Sequence, residues 1–324
     1  KVGFMEPSRC ASLLTDPTIK RLRIEEYLDD FQVVADPDQC LLAIIRLAES
    51  CANAHLLPAL ESVVTQTRSR HELFALLGMS TMLGDFLISH PKRMKEIFTA
   101  GRRSTDGIPL GSRKEERASA LEAVGADPLA TYPASTTDDA VNALRGHYFT
   151  RLAHVAVADL TCPDPLAAMP QVSARIADIV AGALEAGLAY ARSEVQGSEH
   201  VGLTVIAMGK TGARELNYVS DVDVVYVACP VDDSVDESQT IAIATKLAAK
   251  LGQAVSSAAG EQALWILDAN LRPEGKDGPL VRTLDSHITY YKRWAKGWEF
   301  QALLKARPIA GDMELGSRYM NARR

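Results

Sequence analysis

The spacing of apolar residues changes once along this chain of 324 residues, and that change limits the folds that it can adopt. Before about residue 195, apolar residues recur at intervals of three and four, as in helices with one buried face. After Gln196-Gly197-Ser198 they form short β-branched runs, 203–208 and 222–229, which are typical of buried strands. The pattern predicts a predominantly helical α+β protein in which a sheet domain follows a helical domain.

Capping and helix-breaking residues place the helices of the first half. Asp38 is a candidate cap for one helix, and Pro58 and Ser69 each open another, the second of which ends before His90-Pro91. Residues 101–135 are rich in Gly, Ser, Thr, Asp and Pro, so we expect surface loops there. Two long helices are predicted next, over about 137–160 and 170–195.

The second half is predicted to contain a helix over 237–259, a third strand over 262–268, a loop over 272–279 and a last helix over 284–307. On that last helix we expect Trp298, Ala302 and Leu303 to pack in the core. The domains predicted are a helical one over 1–136, a second one over 137–316 and the start of a further region over 317–324. The lack of an initiator Met indicates a piece of a longer protein.

Charge and composition exclude several classes of protein. The chain has 41 acidic and 35 basic residues, and this net charge of −6 disfavours a protein that binds nucleic acid by neutralising phosphates. No apolar run approaches the roughly 18 residues of a membrane span, and the N-terminus has no signal-peptide core. The five scattered cysteines form no disulfide or zinc pattern. We therefore expect a cytoplasmic protein with neither nucleic acid nor membrane as a partner.

Three carboxylates mark predicted strand ends. Asp221 and Asp223 lie two apart at the start of the run 222–229, so both side chains point to one face, and Asp268 closes the next predicted strand. Such carboxylates repel each other unless a divalent cation lies between them, and hard oxygen ligands favour Mg²⁺ or Mn²⁺. A bare Asp-x-Asp is more often a solvated strand start. Here it stands at the mouth of a buried run, and Gly209 ends the preceding strand, where backbone amides can approach a phosphate.

This order of a hydrophobic-Gly turn, a spacer, Asp-x-Asp and a later third carboxylate resembles the nucleotidyltransferase superfamily related to DNA polymerase beta. The resemblance implies a polymerase-beta-like catalytic sheet domain with a two-metal site, in which Asp221 and Asp223 hold Mg²⁺ or Mn²⁺. Asp268 would complete the metal site or accept a proton. The superfamily usually has Ser after the glycine, whereas Lys210 stands here and places a cation where a phosphate would lie.

Longer segments carry a closer resemblance: 208–223 (MGKTGARELNYVSDVD), 268–281 (DANLRPEGKDGPLV), and Tyr290-Tyr291 followed by 298–307 (WEFQALLKAR) and Gly311-Asp312. They resemble the bifunctional glutamine synthetase adenylyltransferase/adenylyl-removing enzymes of bacterial nitrogen control. In that family the N-terminal half removes AMP from a modified tyrosine of glutamine synthetase by phosphorolysis, giving ADP, and the C-terminal half attaches AMP from ATP. The leading helical region resembles the start of the full protein, so we expect the adenylyl-removing half.

The resemblance also implies the ligands of the protein. They would be adenylylated glutamine synthetase, a PII signalling protein, phosphate, and ADP or ATP. Two other interpretations stay open: ATP-dependent adenylylation of glutamine synthetase, and a regulatory module that senses PII without turnover. Both halves of the family share the Asp-x-Asp, so the motif itself does not separate the two directions of the reaction.

Polar residues around the three acids are candidates for binding. We expect phosphate or nucleotide contacts from Gly209, Lys210, Arg214, Ser220, Arg272 and Lys276. Further candidate substrate contacts are Asn217, Glu274, Lys305 and Arg307. Lys210 and Arg214 are equally consistent with solvated loop positions, and Asn217 and Ser220 with bracing of the turn. The family often has an arginine where this chain has Asn270, so Arg272, with its planar fork, is the preferred phosphate ligand.

Overall fold

The computed structural model describes residues 3–98, 111–257 and 262–322. Contacts within the chain divide it into two compact units, Lys1–Leu110 with Phe149–Val172, and Gly111–Tyr148 with Ser173–Arg324. Helices predominate among the described residues, and a small sheet lies in the second unit. The predicted class, a predominantly helical α+β protein, is confirmed.

The described residues form fifteen α-helices and five strands. The helices are α1 (Pro7–Leu13), α2 (Pro17–Leu22), α3 (Pro37–Asn53), α4 (Leu57–Thr65), α5 (Thr67–Met79), α6 (Thr81–Ser89), α7 (Met94–Phe98), α8 (Arg113–Ala123), α9 (Ala140–Leu160), α10 (Pro165–Glu194), α11 (Gly209–Ala213), α12 (Glu237–Ser256), α13 (Leu284–Arg293), α14 (Gly297–Leu303) and α15 (Met313–Ala322). The strands are β1 (Val201–Ala207), β2 (Val222–Pro230), β3 (Leu267–Asp268), β4 (Val281–Thr283) and β5 (Arg307–Gly311). Short 3₁₀ helices lie at Ile24–Val33, Pro91–Arg93, Ser198–His200 and Gly275–Asp277.

Helix α3 of the first unit begins where a capping residue and a proline occur together. The Asp36 carboxylate accepts a hydrogen bond from the backbone N–H of Gln39 (2.9 Å), and Pro37 favours the first turn. Asp38, the predicted cap, lies inside that turn, where its carboxylate accepts from the backbone N–H of Met5 (2.8 Å). The cap is therefore two residues earlier than predicted, whereas the predicted helix itself is present.

The predicted helix from Ser69 to His90 is two helices, α5 and α6. Ser80 separates them because its side chain accepts from the backbone N–H of Leu83 (3.2 Å) and so caps α6. The two helices are bent by 117° at this break. Across the described ranges, no helix taken singly has the length and apolarity to cross a membrane, and only α5 and α6 together meet that test, by length and composition alone.

Helix α8 of the second unit occupies part of the region predicted as loop. The Ser112 hydroxyl accepts from the backbone N–H of Glu115 (3.2 Å), and the Glu115 carboxylate accepts from the backbone N–H of Ser112 (2.7 Å). This reciprocal capping box starts the helix. Arg113 donates to the carbonyl oxygen of Pro308 (2.9 Å), which ties α8 to β5. Residues 101–110 of the predicted loop lie outside the described residues.

The division of the structure differs from the predicted boundary at 136/137. Residues 111–136 group with the sheet because α8 is tied to β5. Residues 149–172 group with the first unit, in which the Phe149 ring lies 5.3 Å from that of Phe86. Both long helices, α9 and α10, therefore contribute residues to each unit.

Strand β1 lies in the middle of the sheet, paired antiparallel with β2 along one edge and with β5 along the other. All seven residues of β1 are buried, which explains its uninterrupted apolar run. β3 and β4 pair parallel with successive parts of the other edge of β2. The start of β2, which carries the Asp-x-Asp motif, therefore meets β3.

The predicted helix 284–307 is three elements, α13, α14 and β5. The break between the helices follows from the extended backbone of Lys296 (φ −93°, ψ 160°), which precedes Gly297. Arg307 precedes Pro308, and a residue before proline is pushed towards extended backbone, so β5 replaces the end of the predicted helix. The third predicted strand is also shorter than expected, since only Leu267 and Asp268 join the ladder.

Helix α15 includes residues 317–322, which we predicted to begin a further region. It packs against β5, β1 and β2. Its Tyr319 is 2% exposed and lies in the same hydrophobic cluster as Ile206, Val225 and Leu303. These residues therefore belong to the core of the sheet-bearing unit.

Candidate active site

The parallel pairing of β2 with β3 brings two of the three predicted acids together. In that register Val222 faces Leu267 and Asp223 faces Asp268, and the backbone N–H of Val222 donates to the carbonyl oxygen of Ile266 (2.9 Å). Paired strands lie about 4.8 Å apart, and residues in register project from the same face. Two carboxylates that are distant in sequence are therefore neighbours at the edge of the sheet.

Burial and the neighbouring acids raise the pKa of Asp223 above the usual carboxyl value. Burial has the largest effect, the charge of Asp268 comes next and that of Asp221 third, while the ammonium of Lys210 opposes them. Asp223 is half-buried, whereas Asp221 and Lys210 are exposed. The charges of Asp221, Asp268 and Lys210 therefore all reach Asp223, and the roles of these four residues stay predictions.

Gly209 lets the turn after β1 lie against Asp223. Its φ is +51°, in the left-handed region, and a Cβ added here would lie 2.6 Å from Oδ2 of Asp223. The preceding residue, Met208, donates its backbone N–H to the carbonyl oxygen of Asp223 (2.9 Å). The close approach of α11 to the carboxylate therefore requires glycine.

The three acids suit a hard divalent cation by their chemistry. All offer carboxylate oxygens, and a cation would relieve the repulsion that raises the pKa of Asp223. Among the residues that the structure describes, however, no three His, Cys, Asp or Glu side chains are grouped so that they could hold a metal ion. The donor set thus fits Mg²⁺ or Mn²⁺, the cage is not preassembled, and metal binding stays a prediction.

Arg272, the preferred phosphate ligand, holds together the loop that follows Asp268. Its guanidinium donates to the carbonyl oxygens of Ala269 (2.8 Å), Lys276 (3.1 Å) and Gly278 (3.1 Å). A guanidinium has five N–H donors, so these three bonds leave two for an anion. The loop is fixed at its start as well, where the backbone N–H of its residue 270 donates to Oδ1 of Asp268 (2.7 Å). Arg272 therefore has a structural role in addition to the predicted one.

Glu274, in the same loop, also contacts the protein. Glu274 has a left-handed backbone (φ +65°) and an ion pair with Arg282. Glu274 therefore contacts the protein itself, and its role as a substrate contact stays a prediction.

The sequence analysis did not single out a further buried pair. Tyr290 donates its hydroxyl to Oε1 of Glu299 (2.9 Å), and both side chains are buried. The sequence signal for this pair was a glutamate four residues before Leu303 on the apolar side of a helix.

Three further predicted contacts brace the α11 turn. Arg307 donates to the carbonyl oxygens of Gly212 (3.1 Å) and Thr211 (3.1 Å), and burial lowers the pKa of Arg307 to about 10. Arg214 ends α11 in a left-handed conformation (φ +61°). The remaining contacts are the ion pairs of Arg214 with Asp178 (2.6 Å) and of Lys305 with Glu215 (2.7 Å). These side chains were predicted as phosphate or substrate ligands, but the structure engages them within the protein.

The other predicted ligands lie at the surface around the carboxylates. The Ser220 hydroxyl donates to the carbonyl oxygen of Asp221 (3.2 Å), which favours the bracing role over substrate contact. Asn217 and Lys276 are exposed, and their roles stay predictions. Trp298 corrects a further expectation, since it is 52% exposed instead of packing in the core.

Comparison with known proteins decides the family. Residues 70–322 match the family model described as glutamate-ammonia ligase adenylyltransferase. The chain belongs to this family. The chain is similar to proteins named bifunctional glutamine synthetase adenylyltransferase/adenylyl-removing enzyme from Bifidobacterium longum (strain DJO10A), Cutibacterium acnes and Nocardia farcinica.

Each of these relatives is 41% identical to the chain. The alignments cover 93%, 92% and 99% of this chain, and 28%, 29% and 31% of the respective relatives. The chain therefore spans less than a third of the length of the curated members of the adenylyltransferase family that it matches.

Proposed function

We propose that this chain removes AMP from adenylylated glutamine synthetase by phosphate-dependent phosphorolysis. The observation that carries the proposal is the pairing of Asp223 with Asp268, at which burial and like charges raise the pKa of Asp223. Membership of the adenylyltransferase family supports glutamine synthetase as the protein substrate. The resemblance of the leading helical region to the start of longer family members supports the adenylyl-removing direction.

The reaction transfers AMP from a tyrosine oxygen to orthophosphate. An oxygen of orthophosphate forms a bond to the phosphorus of AMP, and the bond from that phosphorus to the tyrosine oxygen breaks in line with it. The products are ADP and a tyrosine that has regained its proton. Such a transfer depends chiefly on positioning the two oxygens and on balancing negative charge.

The residues of this chain would supply both requirements. Asp221, Asp223 and Asp268 would hold Mg²⁺ or Mn²⁺, which when bound neutralises charge on the transferring group. The exposed ammonium of Lys210 and the two remaining donors of Arg272 would bind orthophosphate oxygens. Gly209 would let the backbone of α11 stay close to the acids. A PII signalling protein as regulator and the cytoplasm as location belong to the same proposal.

The test is to incubate the chain with adenylylated glutamine synthetase and Mg²⁺, with and without phosphate. We expect ADP to form only when phosphate is present. Consumption of ATP, release of pyrophosphate and labelling of unmodified glutamine synthetase would instead assign the opposite direction. Absence of turnover in both assays, with PII still bound, would assign a regulatory module.

A further inference from the structure

Helix α14 and the residues on either side of it expose apolar side chains that soluble proteins normally bury. Trp294 is 61% exposed, Trp298 52%, Phe300 45% and Leu304 77%. Ring contacts connect Trp294 to Tyr290 (centroids 6.3 Å apart), Tyr290 to Tyr291 (5.6 Å) and Tyr291 to Phe300 (6.1 Å). Exposed aromatic groups of this kind mark sites of protein interaction more often than chance.

Basic side chains accompany these aromatic residues. Lys292, Arg293 and Lys296 are all exposed, and the guanidinium of Arg293 lies 5.9 Å from the centroid of Trp294. The only acid between 286 and 305 is Glu299, which is buried and bound to Tyr290. A chain with a net charge of −6 thus presents a local excess of positive charge. We refer to residues 292–305 as the basic-aromatic surface.

The basic-aromatic surface is continuous with the turn that covers the carboxylates. Its last residue, Lys305, pairs with Glu215, and its carbonyl oxygen is so close to Gly212 that an added Cβ there would lie 2.0 Å away. Gly212 belongs to α11, and the first residue of α11, Gly209, lies against Asp223. A protein held on this surface would therefore lie next to the candidate active site.

We propose that the basic-aromatic surface docks an acidic face of the protein that carries the adenylylated tyrosine. The inference rests on the proposed function, because it assigns the occupant as the protein substrate of that site. Lys292, Arg293 and Lys296 would attract the acidic face and set the rate of encounter. Trp294, Trp298, Phe300 and Leu304 would supply the contact area, since aromatic anchors dominate binding energy at protein interfaces.

Two substrates separate docking from chemistry. Adenylylated glutamine synthetase offers a complete protein face, whereas a short uncharged peptide carrying adenylyl-tyrosine offers only the reacting group. We expect Lys292→Glu/Arg293→Glu/Lys296→Glu to raise the KM for the protein by at least roughly tenfold, because charges at the rim of an interface speed encounter. Salt screens the same attraction and should therefore raise the KM of the wild type as well. The kcat with the protein and both constants with the peptide should stay within about twofold. Trp298→Ala should raise the same KM without altering the salt dependence.

A matched control reverses three exposed cations elsewhere, Lys20→Glu/Lys92→Glu/Lys246→Glu, and gives the same net charge. It should leave the KM for the protein unchanged. Equal effects of the two triple variants, or an equal loss with the peptide, would overturn the proposal. If the wild type released no ADP from either substrate, the proposed function would fail by itself.

Docking is then judged by direct binding of adenylylated glutamine synthetase to immobilised protein. Binding that the first triple variant loses and the control keeps supports the proposal. Equal binding by all three proteins overturns it. The proposal is also overturned if the first triple variant still binds glutamine synthetase but has lost either binding to a single-stranded oligonucleotide or self-association.

Discussion

Asp223 and Asp268 face each other across a parallel pair of strands, although 44 residues separate them in the sequence, and half-burial leaves their repulsion poorly screened. The pKa of Asp223 rises as a result. A site that brings like charges together in this way lowers the stability of the empty protein, and such arrangements are typical of functional sites. The following predictions test that interpretation.

Neutralising Asp223 should stabilise the protein while abolishing activity. Because the pKa of Asp223 is raised in the folded protein, the folded chain binds more protons than the unfolded chain at pH values between the usual aspartate pKa and the raised one. Stability therefore falls as pH rises through that window. Asp223→Asn should therefore raise the Tm at pH 7 in the presence of EDTA. The gain should vanish near about pH 3, where the aspartate is protonated in both states. A Tm at pH 7 equal to or below that of the wild type would contradict the argument.

Divalent ions should bind to the three acids. Isothermal titration with Mn²⁺ should show binding to the wild type that Asp221→Asn/Asp223→Asn abolishes, since hard carboxylate oxygens are the ligands that Mn²⁺ prefers. The substitutions remove charge from one strand end and should leave the far-ultraviolet circular dichroism unchanged. Undiminished Mn²⁺ binding by the double variant would show that the ions bind elsewhere.

Asp268 is predicted to be the third acid of the site. Asp268→Asn should reduce kcat at least ~10²-fold, the scale expected for loss of a metal ligand or a proton acceptor, with folding intact. Glu274→Gln is the matched control, because Glu274 lies on the same loop but pairs with Arg282. If Asp268→Asn stays active while Glu274→Gln is inactive, Asp268 is not the third acid of the site.

Gly209 should tolerate no side chain. A Cβ would approach Oδ2 of Asp223 to 2.6 Å and would impose a left-handed φ on alanine, so Gly209→Ala should displace the carboxylate and lower kcat. Gly252 lies inside α12, where an added Cβ would meet no atom within 4 Å, so Gly252→Ala should stabilise the protein by roughly 0.5–1 kcal/mol and keep full activity. Kinetic assays and thermal unfolding of both variants, compared side by side, check the prediction. Full activity of Gly209→Ala would show that the turn is not part of the site.

The places of Asp223 and Asp268 at the ends of strands were predictable from the sequence, because an apolar run follows Asp223 and another precedes Asp268. The structure confirms the first run as β2 and pairs Asp223 with Asp268, whereas Asp221 lies just before the strand. The end of the predicted helix 284–307 was misjudged even though a local signal was present, since Pro308 forces extended backbone on the residue before it. Local sequence thus contains much of the fold, provided that proline is weighed against helical spacing.

The contacts of the arginines were beyond the reach of the sequence. Arg272 and Arg307 resemble phosphate ligands by type and position, yet both donate to backbone carbonyl oxygens whose positions depend on the folded loop and on β5. Similarly, Glu299 looks like a surface residue until its burial against Tyr290 is seen. Tertiary structure decides which polar groups are free, and no periodicity encodes that.

The most direct test of the proposed function follows the phosphate itself. The chain is incubated with adenylylated glutamine synthetase, Mg²⁺ and radiolabelled orthophosphate, and the nucleotide product is separated. Phosphorolysis predicts that the label appears in the β-phosphate of ADP in amounts equal to the tyrosine freed, and that Asp223→Asn abolishes it. Release of unlabelled AMP, or labelling of glutamine synthetase from ATP with no incorporation of phosphate, would contradict the account.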